Sequence, residues 1–514
     1  MTNINRYKLK QIFFSLVAFV VLFLTVKLML KGVGIPNSAR QTFLLVILII
    51  FLSSSRKLFW FLVFPMCLVY AIYSPIGSVF GKPTYQYVAS VFATDLLESK
   101  DFFSQIPLTN YTYPFLIIMG ILIYHFLVLR YKVKIYKNKT IVSIMIVFSM
   151  VNQTPAVFFK SIINSSYEVI NEMSKLNELK KDSNWKAVSS FNPQYNTYVL
   201  IIGESARRDY HHAYGYPINN TPFMSSSKGV LIDGLASGGT NTISSLRLML
   251  TKPNTTNWEP DYSLNFIDLA KSSGIKTYWL SNQGFLGDSD TPISAIASKS
   301  DSKFFTKSGG YNSNNTSDFA LIKKVEDVVK EHNDEHKLIV IHLYGSHTGA
   351  CQRIDDYKKI VDIKDKKYLY INCYISSINK TDDIIRKINS IMEERFLDKK
   401  ESYSMIYFAD HGLNHNIESD GMIILNNRGI SKFHYNIPLF KVSSDDTERL
   451  QCKSFKSGLN FVNGIASWMG IENEQLDKNY SLFDCKNDVS DFGLQNRIDR
   501  DSKAPDPAID LTGR

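Results

Sequence analysis

The stretch YVLIIGESAR, residues 198–207, decides the fold of this chain. Its apolar run has the length of a strand and ends abruptly at Gly203, so that Glu204 and Ser205 follow at the strand's tip. In open α/β sheets, ligands collect at the carboxyl ends of the strands, because the loops there turn polar groups towards a shared crevice. The stretch therefore predicts a carboxylate at the ligand-binding edge of a sheet.

The same pattern occurs twice more. The stretch KLIVIHLYGSH (337–347) leads from an apolar strand to His347, and YSMIYFADHG (403–412) leads from another to Asp410 and His411. The ends of parallel strands share one edge of a sheet, so we expect these side chains to meet the first carboxylate. Carboxylates and imidazoles gathered from distant parts of a sequence are typical ligands of hydrolytic metal sites.

Segments with helical periodicity alternate with these strands. Two examples are SDFALIKKVEDVVKEHN (317–333) and SINKTDDIIRKINSIMEE (377–394). The alternation predicts an α/β domain with a mostly parallel sheet. At the end of the strand-like TYWLSNQ (277–283), Asn282 and Gln283 are candidate contacts for a phosphate or a lipid headgroup.

The front of the chain is apolar enough for a membrane domain. Its first hydrophobic run, 12–30, is long enough to span a bilayer. No small-residue cleavage pattern follows it and further hydrophobic runs do, so we interpret it as a membrane span rather than a signal peptide. The sequence thus predicts five spans, at residues 12–30, 42–52, 58–73, 113–129 and 140–159.

Basic loops predict the orientation of these spans. The N-terminus, the loop with Arg56 and Lys57, and the loop 130–139 carry basic residues and should face the cytoplasm. An odd number of spans then places the rest of the chain outside, which in a Gram-negative bacterium is the periplasm. On the same side, VFATDLLESKDFF (91–103) is expected to form a short amphipathic helix.

Charge and composition complete the domain prediction. The net charge is +10, but the basic residues are not gathered into one binding motif, so we expect no nucleic-acid partner. Charges spaced along the linker, Glu172 among them, predict a solvated helix with no catalytic role. The polar tail is predicted to be mobile. The predicted parts are a transmembrane domain at 1–160, a linker helix at 161–195, a catalytic domain at 196–485 and a polar tail at 486–514.

Cysteine usage indicates an oxidising compartment. Cys67 lies in a predicted span, which leaves four cysteines outside the membrane. Cys351 with Cys373 and Cys452 with Cys485 is the simplest of the three possible connectivities. A zinc knuckle is the alternative, although no CxxC spacing occurs.

The stretch SGGTNTISSLRL (237–248) could supply a nucleophile. It is a loop of small residues that opens a predicted helix at Ile243. Hydroxyl residues at this position commonly cap the free N–H groups of a helix. The same N–H groups and the helix dipole favour a phosphate, which suits catalysis. Spacing alone leaves both interpretations open.

Four motifs in fixed order carry a family resemblance. GESARRDYHHAYGYPINNTP, GGTNTISS, YGSHTGA and FADHG, behind five predicted spans, resemble the membrane-bound phosphoethanolamine transferases of the alkaline phosphatase and sulfatase superfamily. The resemblance implies Thr242 as the nucleophile, with Glu204, Thr242, Asp410 and His411 as ligands of one tight zinc site. His347, and His434 in KFHYNIP, match histidines that handle the substrate or hold a second metal.

The resemblance also implies a reaction and a location. Phosphatidylethanolamine would donate its headgroup to Thr242, and the resulting phospho-threonine would pass it to lipopolysaccharide, lipid A or a periplasmic glucan. The chain would act as a monomer in the bacterial inner membrane, with its catalytic domain in the periplasm. A phosphoglycerol transferase of the same superfamily and a catalytically silent membrane scaffold are the alternatives. The nucleophile loop has no proline, so a sulfatase with a CxPxR-like motif is not expected.

This chain departs from the family pattern at several positions. Cysteines that often bracket the nucleophile loop are replaced by Gly238 and Leu248. Ser205 stands where relatives usually have threonine, and it is the second candidate for the nucleophile. The residues after the GSH and DHG motifs, Thr348, Leu413 and Asn414, also differ. We expect His415, four residues beyond the DHG histidine, to lie on the surface.

Overall fold

The computed structural model describes residues 3–35, 38–83, 88, 99–100, 102–103, 106–131, 154–178, 183–285, 291–308, 316–331, 336–417, 423–426, 430–502 and 506–514. The chain forms two compact units. The first unit comprises Met1–Ala89 and Phe102–Ile170, and the second comprises Ser90–Asp101 and Asn171–Arg514.

The first unit is helical in its described part. Its helices are Asn3–Gly32, Ala39–Leu52, Arg56–Phe80, Leu108–Arg130 and the beginning of Ala156–Glu178. The segments Leu9–Gly32, Arg56–Phe80 and Leu108–Arg130 are long and apolar enough to cross a membrane. Three of the five predicted spans thus fall on helices of sufficient length.

The two remaining predicted spans are not confirmed. The second falls on Ala39–Leu52, which has 14 residues and is shorter than a bilayer-spanning helix. Most of the fifth, 140–159, lies outside the described residues, and so does most of the amphipathic helix predicted at 91–103.

Small side chains let the membrane helices pack closely. A Cβ atom added to Gly120 would lie 2.1 Å from Thr25 Oγ1, so a larger residue at position 120 would push the two helices apart. Close contacts at small residues are typical of helices packed in a bilayer.

The second unit is built on a large sheet. Its described strands, β1 to β14 in chain order, are Ser190–Phe191, Thr197–Gly203, Gly229–Ile232, Leu235–Ala236, Lys276–Phe285, Ser302–Ser308, Lys337–His342, Tyr403–Ala409, Asn414–Ile417, Ile423–Asn426, Leu439–Ser443, Arg449–Cys452, Lys456–Ser457 and Ile471–Glu472. Eight of them form one sheet in the order β12-β3-β11-β8-β2-β7-β5-β6. Within this sheet only β11 runs against the others. The predicted α/β domain with a mostly parallel sheet is confirmed.

Burial on both faces explains the unbroken apolar run of the central strand β2. Tyr198, Leu200 and Ile202 pack into the hydrophobic core on one face of the sheet, and Val199 and Ile201 pack into the core on the other. A parallel strand covered on both faces has no solvated side and therefore shows no polar alternation.

Helices surround this sheet, and two disulfides reinforce the unit. The helices are Pro222–Ser226, Thr242–Met249, Phe266–Ser272, Pro292–Ala297, Ala320–Lys330, Ala350–Arg353, Leu369–Lys399, Phe461–Met469 and Leu494–Asp501. Cys351 is bonded to Cys373 and Cys452 to Cys485, while Cys67 is free and buried, as predicted.

Two expectations about the segments that flank the catalytic domain are corrected. Glu172, expected on a solvated face of the linker, is buried against Arg247 of the helix Thr242–Met249. The tail, expected to be mobile, contains the helix Leu494–Asp501 and a described segment, 506–514, whose Leu511 is only 3% exposed. Glu172 is buried because Arg247 compensates its charge, and the tail packs against the domain because its apolar residues, Leu511 among them, join a hydrophobic core.

Candidate active site

The ends of neighbouring parallel strands bring Glu204 and Asp410 together. Gly203 of β2 is aligned with Ala409 of β8, so the residues that follow each strand are neighbours. Asp410 N donates a hydrogen bond to Gly203 O at 3.0 Å. Both carboxylates are buried, with exposures of 1% and 0%. The sheet thus fixes two acidic groups at its carboxyl edge, as the sequence predicts.

Backbone hydrogen bonds orient the Asp410 carboxylate. Its Oδ1 atom accepts from Ser205 N at 2.9 Å and from His411 N at 2.7 Å. Ser205 reaches this position with a φ of 54°, in the left-handed region. The second oxygen, Oδ2, is buried and accepts no hydrogen bond from any described residue. One carboxylate oxygen is therefore left for another partner.

His411 faces both carboxylates. Its Nε2 atom lies 3.4 Å from Glu204 Oε1 and 3.4 Å from Asp410 Oδ2. Its Nδ1 atom lies 2.6 Å from Gly412 O, and a carbonyl can only accept, so Nδ1 carries a proton and Nε2 points to the acids. A backbone partner of this kind is typical of metal-ligating histidines.

The electrostatics of these three residues are strongly coupled. Burial acts to raise the pKa of Glu204, but the hydrogen bond and charge of His411 outweigh it, and the pKa is lowered. Burial and the charge of Glu204 raise the pKa of Asp410 well above its ordinary value. Burial acts to lower the pKa of His411, yet Asp410 and Glu204 raise it to about 9. Without further positive charge, the two acids cannot both ionise easily.

The three residues fit a divalent cation. Glu204, Asp410 and His411 each offer one ligand atom, and these atoms all lie within 4.8 Å of one another. A cation would coordinate Asp410 Oδ2, which accepts no hydrogen bond from a described residue, and would offset the repulsion between the carboxylates. Two carboxylate oxygens and one imidazole nitrogen form a donor set that suits zinc.

Thr242 presents its hydroxyl to this group instead of capping a helix. Asn241 is the N-cap of the helix Thr242–Met249, because its side chain accepts from Ser244 N in a capping box. Thr242 is the first helical residue, and its Oγ1 donates to Glu204 Oε2 at 3.1 Å. Its side chain is partly exposed. Asn241 therefore caps this helix, and the hydroxyl of Thr242 does not.

Two other side chains donate to Glu204. Ser205 Oγ donates to Oε1 at 2.6 Å, but Ser205 is only 2% exposed. Gln283 Nε2 donates to Oε2 at 3.2 Å and to Leu343 O at 2.7 Å. Of the two hydroxyls on Glu204, that of Thr242 is the more accessible to a substrate.

His347 and His434 lie beside this group and are neutral at pH 7. Burial acts to lower the pKa of His347 to about 4, against the charge of Glu204. Burial and the charge of His411 lower the pKa of His434 to about 3. The His347 ring stacks on Tyr344, with ring centroids 4.8 Å apart. Neutral imidazoles of this kind can accept a proton or hydrogen-bond a phosphate.

Asn282 lies apart from this hydrogen-bond network. Its side-chain amide donates to Asp318 Oδ1 at 2.7 Å and to Thr316 O at 2.8 Å, and its oxygen accepts from Thr306. Asp318 in turn accepts from Tyr344 N and Gly345 N, at 2.8 and 2.9 Å. Asn282 thus supports the loop that carries His347.

One buried arginine beside the site was not among the residues predicted from the sequence. Arg207 is 0% exposed, and its guanidinium pairs with Asp209 at 2.7 Å and with Asp506 at 3.2 Å. It also lies 3.2 Å from His415 Nδ1, so His415 is half-buried in β9 rather than on the surface. The arginine is part of the first motif in the sequence, but its partner Asp506 could not be found from spacing.

Comparison with known proteins assigns the family. The model of the family described as "Sulfatase" matches residues 196–471, which is more than half of the chain. The chain belongs to the sulfatase family.

Two relatives narrow this membership. A Haemophilus influenzae protein with the name "Putative phosphoethanolamine transferase" is 48% identical over 360 residues, which cover 70% of this chain and 74% of the relative. The phosphoethanolamine transferase OpgE of Escherichia coli is 29% identical, over 86% of this chain and 87% of its own. This sulfatase-family chain is a phosphotransferase of the membrane-bound phosphoethanolamine transferase type.

A solved structure has the same fold as the sulfatase-family chain over both units. It is the integral membrane lipooligosaccharide phosphoethanolamine transferase A (EptA) from Neisseria meningitidis. The TM-score is 0.62 at 16% identity, and the match covers 90% of this chain and 97% of that one.

Proposed function

We propose that this protein transfers phosphoethanolamine from phosphatidylethanolamine to a glycan or lipopolysaccharide of the bacterial envelope, through a phospho-threonine intermediate on Thr242. The observation that carries the proposal is the Thr242 hydroxyl on Glu204 Oε2 at 3.1 Å, in a helix that Asn241 already caps. A hydroxyl that does not cap the helix and that donates a hydrogen bond to a buried carboxylate is suited to act as a nucleophile.

Glu204, Asp410 and His411, with Thr242 as the fourth ligand, would hold one tightly bound zinc ion. When bound, zinc supplies positive charge that favours the alkoxide form of a coordinated hydroxyl and stabilises charge on a phosphoryl group. The three residues fit it by donor type and by the buried Asp410 Oδ2, which accepts no hydrogen bond from a described residue. A second metal at His347 and His434 is a further role that the resemblance allows.

The chain's own residues account for the covalent steps. Thr242 Oγ1 forms a bond to the headgroup phosphorus while the bond from phosphorus to the diacylglycerol oxygen breaks. The threonine proton passes to Glu204 Oε2, its hydrogen-bond acceptor, and from there to the diacylglycerol oxygen, which leaves as the alcohol. In the second half, the oxygen of the acceptor hydroxyl forms a bond to the phosphorus while the bond from phosphorus to Thr242 Oγ1 breaks, and the proton of the acceptor hydroxyl passes to Thr242.

His347 and His434 would serve the acceptor. Their lowered pKa values of about 4 and about 3 leave both neutral at pH 7, so neither enters the reaction as a protonated imidazolium acid. Each can accept the proton of the incoming hydroxyl or donate a hydrogen bond to phosphate. We assign Gln283 to the orientation of Glu204, on which its amide lies.

The membrane helices suit a reaction between lipids. A lipid donor is confined to the bilayer surface, and an anchored enzyme meets it there. We infer an inner-membrane protein with a periplasmic catalytic domain, which the two disulfides of the second unit support. The names of its relatives favour phosphoethanolamine over phosphoglycerol as the transferred group.

Two assays test this function. Purified full-length protein is given phosphatidylethanolamine or phosphatidylglycerol with a labelled headgroup, and release of diacylglycerol with label on an acceptor is followed. We expect turnover of the ethanolamine lipid only. Mass spectrometry of lipopolysaccharide and glucan fractions, from cells with and without the protein, identifies the acceptor, and no new phosphoethanolamine on either would contradict the proposal.

A further inference from the structure

The segment 506–511 lies against two loops of the candidate active site. Asp506 uses three acceptor atoms: Oδ2 lies 3.2 Å from Arg207 Nη1, the backbone oxygen accepts from Arg207 Nη2 at 2.6 Å, and Oδ1 accepts from Ser431 Oγ. Its side chain is only 12% exposed. A single carboxylate therefore joins two segments that are far apart in sequence.

Neighbouring residues anchor this segment. Ala508 N donates to Asp209 Oδ2 at 2.9 Å, and Ile509 N donates to Tyr210 Oη at 3.1 Å. Tyr216 Oη donates to Ile509 O at 2.8 Å. Because these bonds follow Asp506 directly, the carboxylate is held in place by an ordered backbone.

Arg207 connects Asp506 to the loop that carries Glu204. Arg207 N donates to Tyr374 Oη at 2.9 Å, and the same hydroxyl donates to Ser205 O at 2.7 Å. The guanidinium stacks on the Phe433 ring, 4.2 Å from its centroid. A buried guanidinium needs paired charge, so the Asp506 carboxylate helps to fix this loop.

Ser431 connects Asp506 to His434. Ser431 N donates to His434 Nδ1 at 3.1 Å, and Ser431 Oγ accepts from Phe433 N at 3.1 Å. Ser431 O also lies 3.3 Å from Nδ1, so the backbone of Ser431 holds this ring nitrogen in either tautomer. Gly412 N donates to His434 O at 2.7 Å, which ties this turn to the loop of His411.

We propose that Asp506 is a positioning residue for the transfer reaction, which holds His434 in place through Ser431 and the Glu204 loop in place through Arg207. Its effect on turnover rests on the proposed function, whereas its effect on the two loops does not. A carboxylate suits this role because its two oxygens accept from different directions. An amide at position 506 could still accept from Ser431 but would bring no negative charge to Arg207.

Hydrogen exchange tests the positioning without reference to catalysis. In full-length protein, Asp506→Ala should raise exchange about tenfold or more in the segments 205–211 and 430–436, and leave the helix Thr242–Met249 unchanged. Asp506→Asn, which preserves shape and folding more closely, should loosen 205–211 and leave 430–436 protected. Asp510→Ala is the matched control, because that exposed carboxylate bonds to Thr512. Unchanged exchange in both segments of Asp506→Ala would overturn the proposal.

Kinetics separate positioning from simple loss of folded protein. For Asp506→Ala, we expect kcat to fall about tenfold, with KM for phosphatidylethanolamine within about twofold and unchanged zinc per folded chain. The loss in Ser431→Ala/Asp506→Ala should be smaller than the product of the single losses. Activity that falls only in proportion to the folded fraction would contradict the proposal. A wild type without transfer activity would refute the proposed function, while hydrogen exchange would still decide the role of Asp506.

Discussion

Glu172 Oε1 lies 2.9 Å from Arg247 Nη1, and this ion pair joins the helix Ala156–Glu178 to the helix that begins at Thr242. Tyr262 Oη donates to the same carboxylate. The side chains of Glu172 and Arg247 are 8% and 19% exposed. The part of this helix that belongs to the second unit is thus tied to the element that carries the proposed nucleophile.

Removal of this charge should destabilise the second unit. Glu172→Gln replaces a charged contact with Arg247 by a neutral one, so we expect it to lower the free energy of unfolding by about 2 kcal/mol. Thermal unfolding of the full-length protein measures the change. Glu168→Gln is the control, since Glu168 is exposed on the same helix. Equal midpoints for both variants would show that the pair contributes nothing.

Zinc content should follow the three buried ligands. We expect about one zinc ion per chain in protein kept from chelators, and much less in Glu204→Ala, Asp410→Ala or His411→Ala. Ser205→Ala, which removes a neighbour of Glu204, should retain most of the metal. Elemental analysis is the measurement, and full zinc content in all three ligand variants would contradict the site.

The affinity for zinc should depend on pH. The pKa of His411 is raised to about 9, so both of its ring nitrogens carry a proton at pH 7 in the metal-free protein. One of these protons must be lost before the histidine can bind zinc. Affinity should therefore rise with pH up to about 9, with release of at least about one proton per ion at pH 7. Calorimetry in buffers of different ionisation enthalpy measures this release, and an uptake of protons would contradict the account.

Two cysteines introduced at positions 238 and 248 should form a third disulfide around the nucleophile loop. A Cβ atom at Gly238 would lie 3.1 Å from Leu248 Cβ, so the two positions where relatives carry cysteines are adjacent here too. Disulfide-bonded Cβ atoms lie about 3.8 Å apart, which needs only a small adjustment. We expect Gly238→Cys/Leu248→Cys to form this bond in non-reducing peptide maps, with each single variant as control. Two free thiols in the folded double variant would refute the expectation.

Acid should destabilise the second unit through His211. Its side chain is 0% exposed, and burial acts to lower its pKa to about 4. Below the ordinary histidine pKa of about 6.5, His211 binds a proton in the unfolded chain but stays neutral in the folded chain. The contribution of His211 to the free energy of unfolding should fall by about 1.4 kcal/mol per pH unit between about 6.5 and 4.

His211→Gln should weaken this dependence. In the wild type, His211 Nδ1 lies 2.8 Å from Arg207 O. The side-chain amide of the glutamine variant can still donate a hydrogen bond to this oxygen. His212→Gln, at the half-exposed neighbouring position, is the control. Thermal midpoints between pH 7 and pH 5 should fall less in His211→Gln than in wild type, and parallel curves for all three proteins would contradict this role.

Local sequence patterns predicted the strands and the site residues at their ends. The apolar run before Glu204 and the one before Asp410 coincide with the strands β2 and β8, which are buried along their whole length, so the pattern and the fold share one cause. Asn241 as the cap of the Thr242 helix was within reach of the same reasoning, because Asn241 and Ser244 have capping-box spacing.

Long-range polar contacts could not be predicted in this way. Glu172 has the same residue type as the exposed Glu168, and only the position of Arg247 in the fold decides which of them is buried. Asp506 lies in a polar tail, and its contacts with Arg207 and Ser431 depend on how the chain returns to the sheet edge. Such pairs leave no periodic signal in one sequence.

The most direct test of the account is the site of the covalent intermediate. Wild-type protein given headgroup-labelled phosphatidylethanolamine without acceptor is quenched rapidly in acid, digested and mapped by mass spectrometry. Asn241→Ala is the matched control, since loss of the cap should cost about 1 kcal/mol of stability and still allow the adduct to form. We expect phosphoethanolamine on Thr242 in both proteins and no adduct or turnover in folded Thr242→Ala. An adduct on Ser205 or Thr240, or a fully active Thr242→Ala protein, would contradict the account.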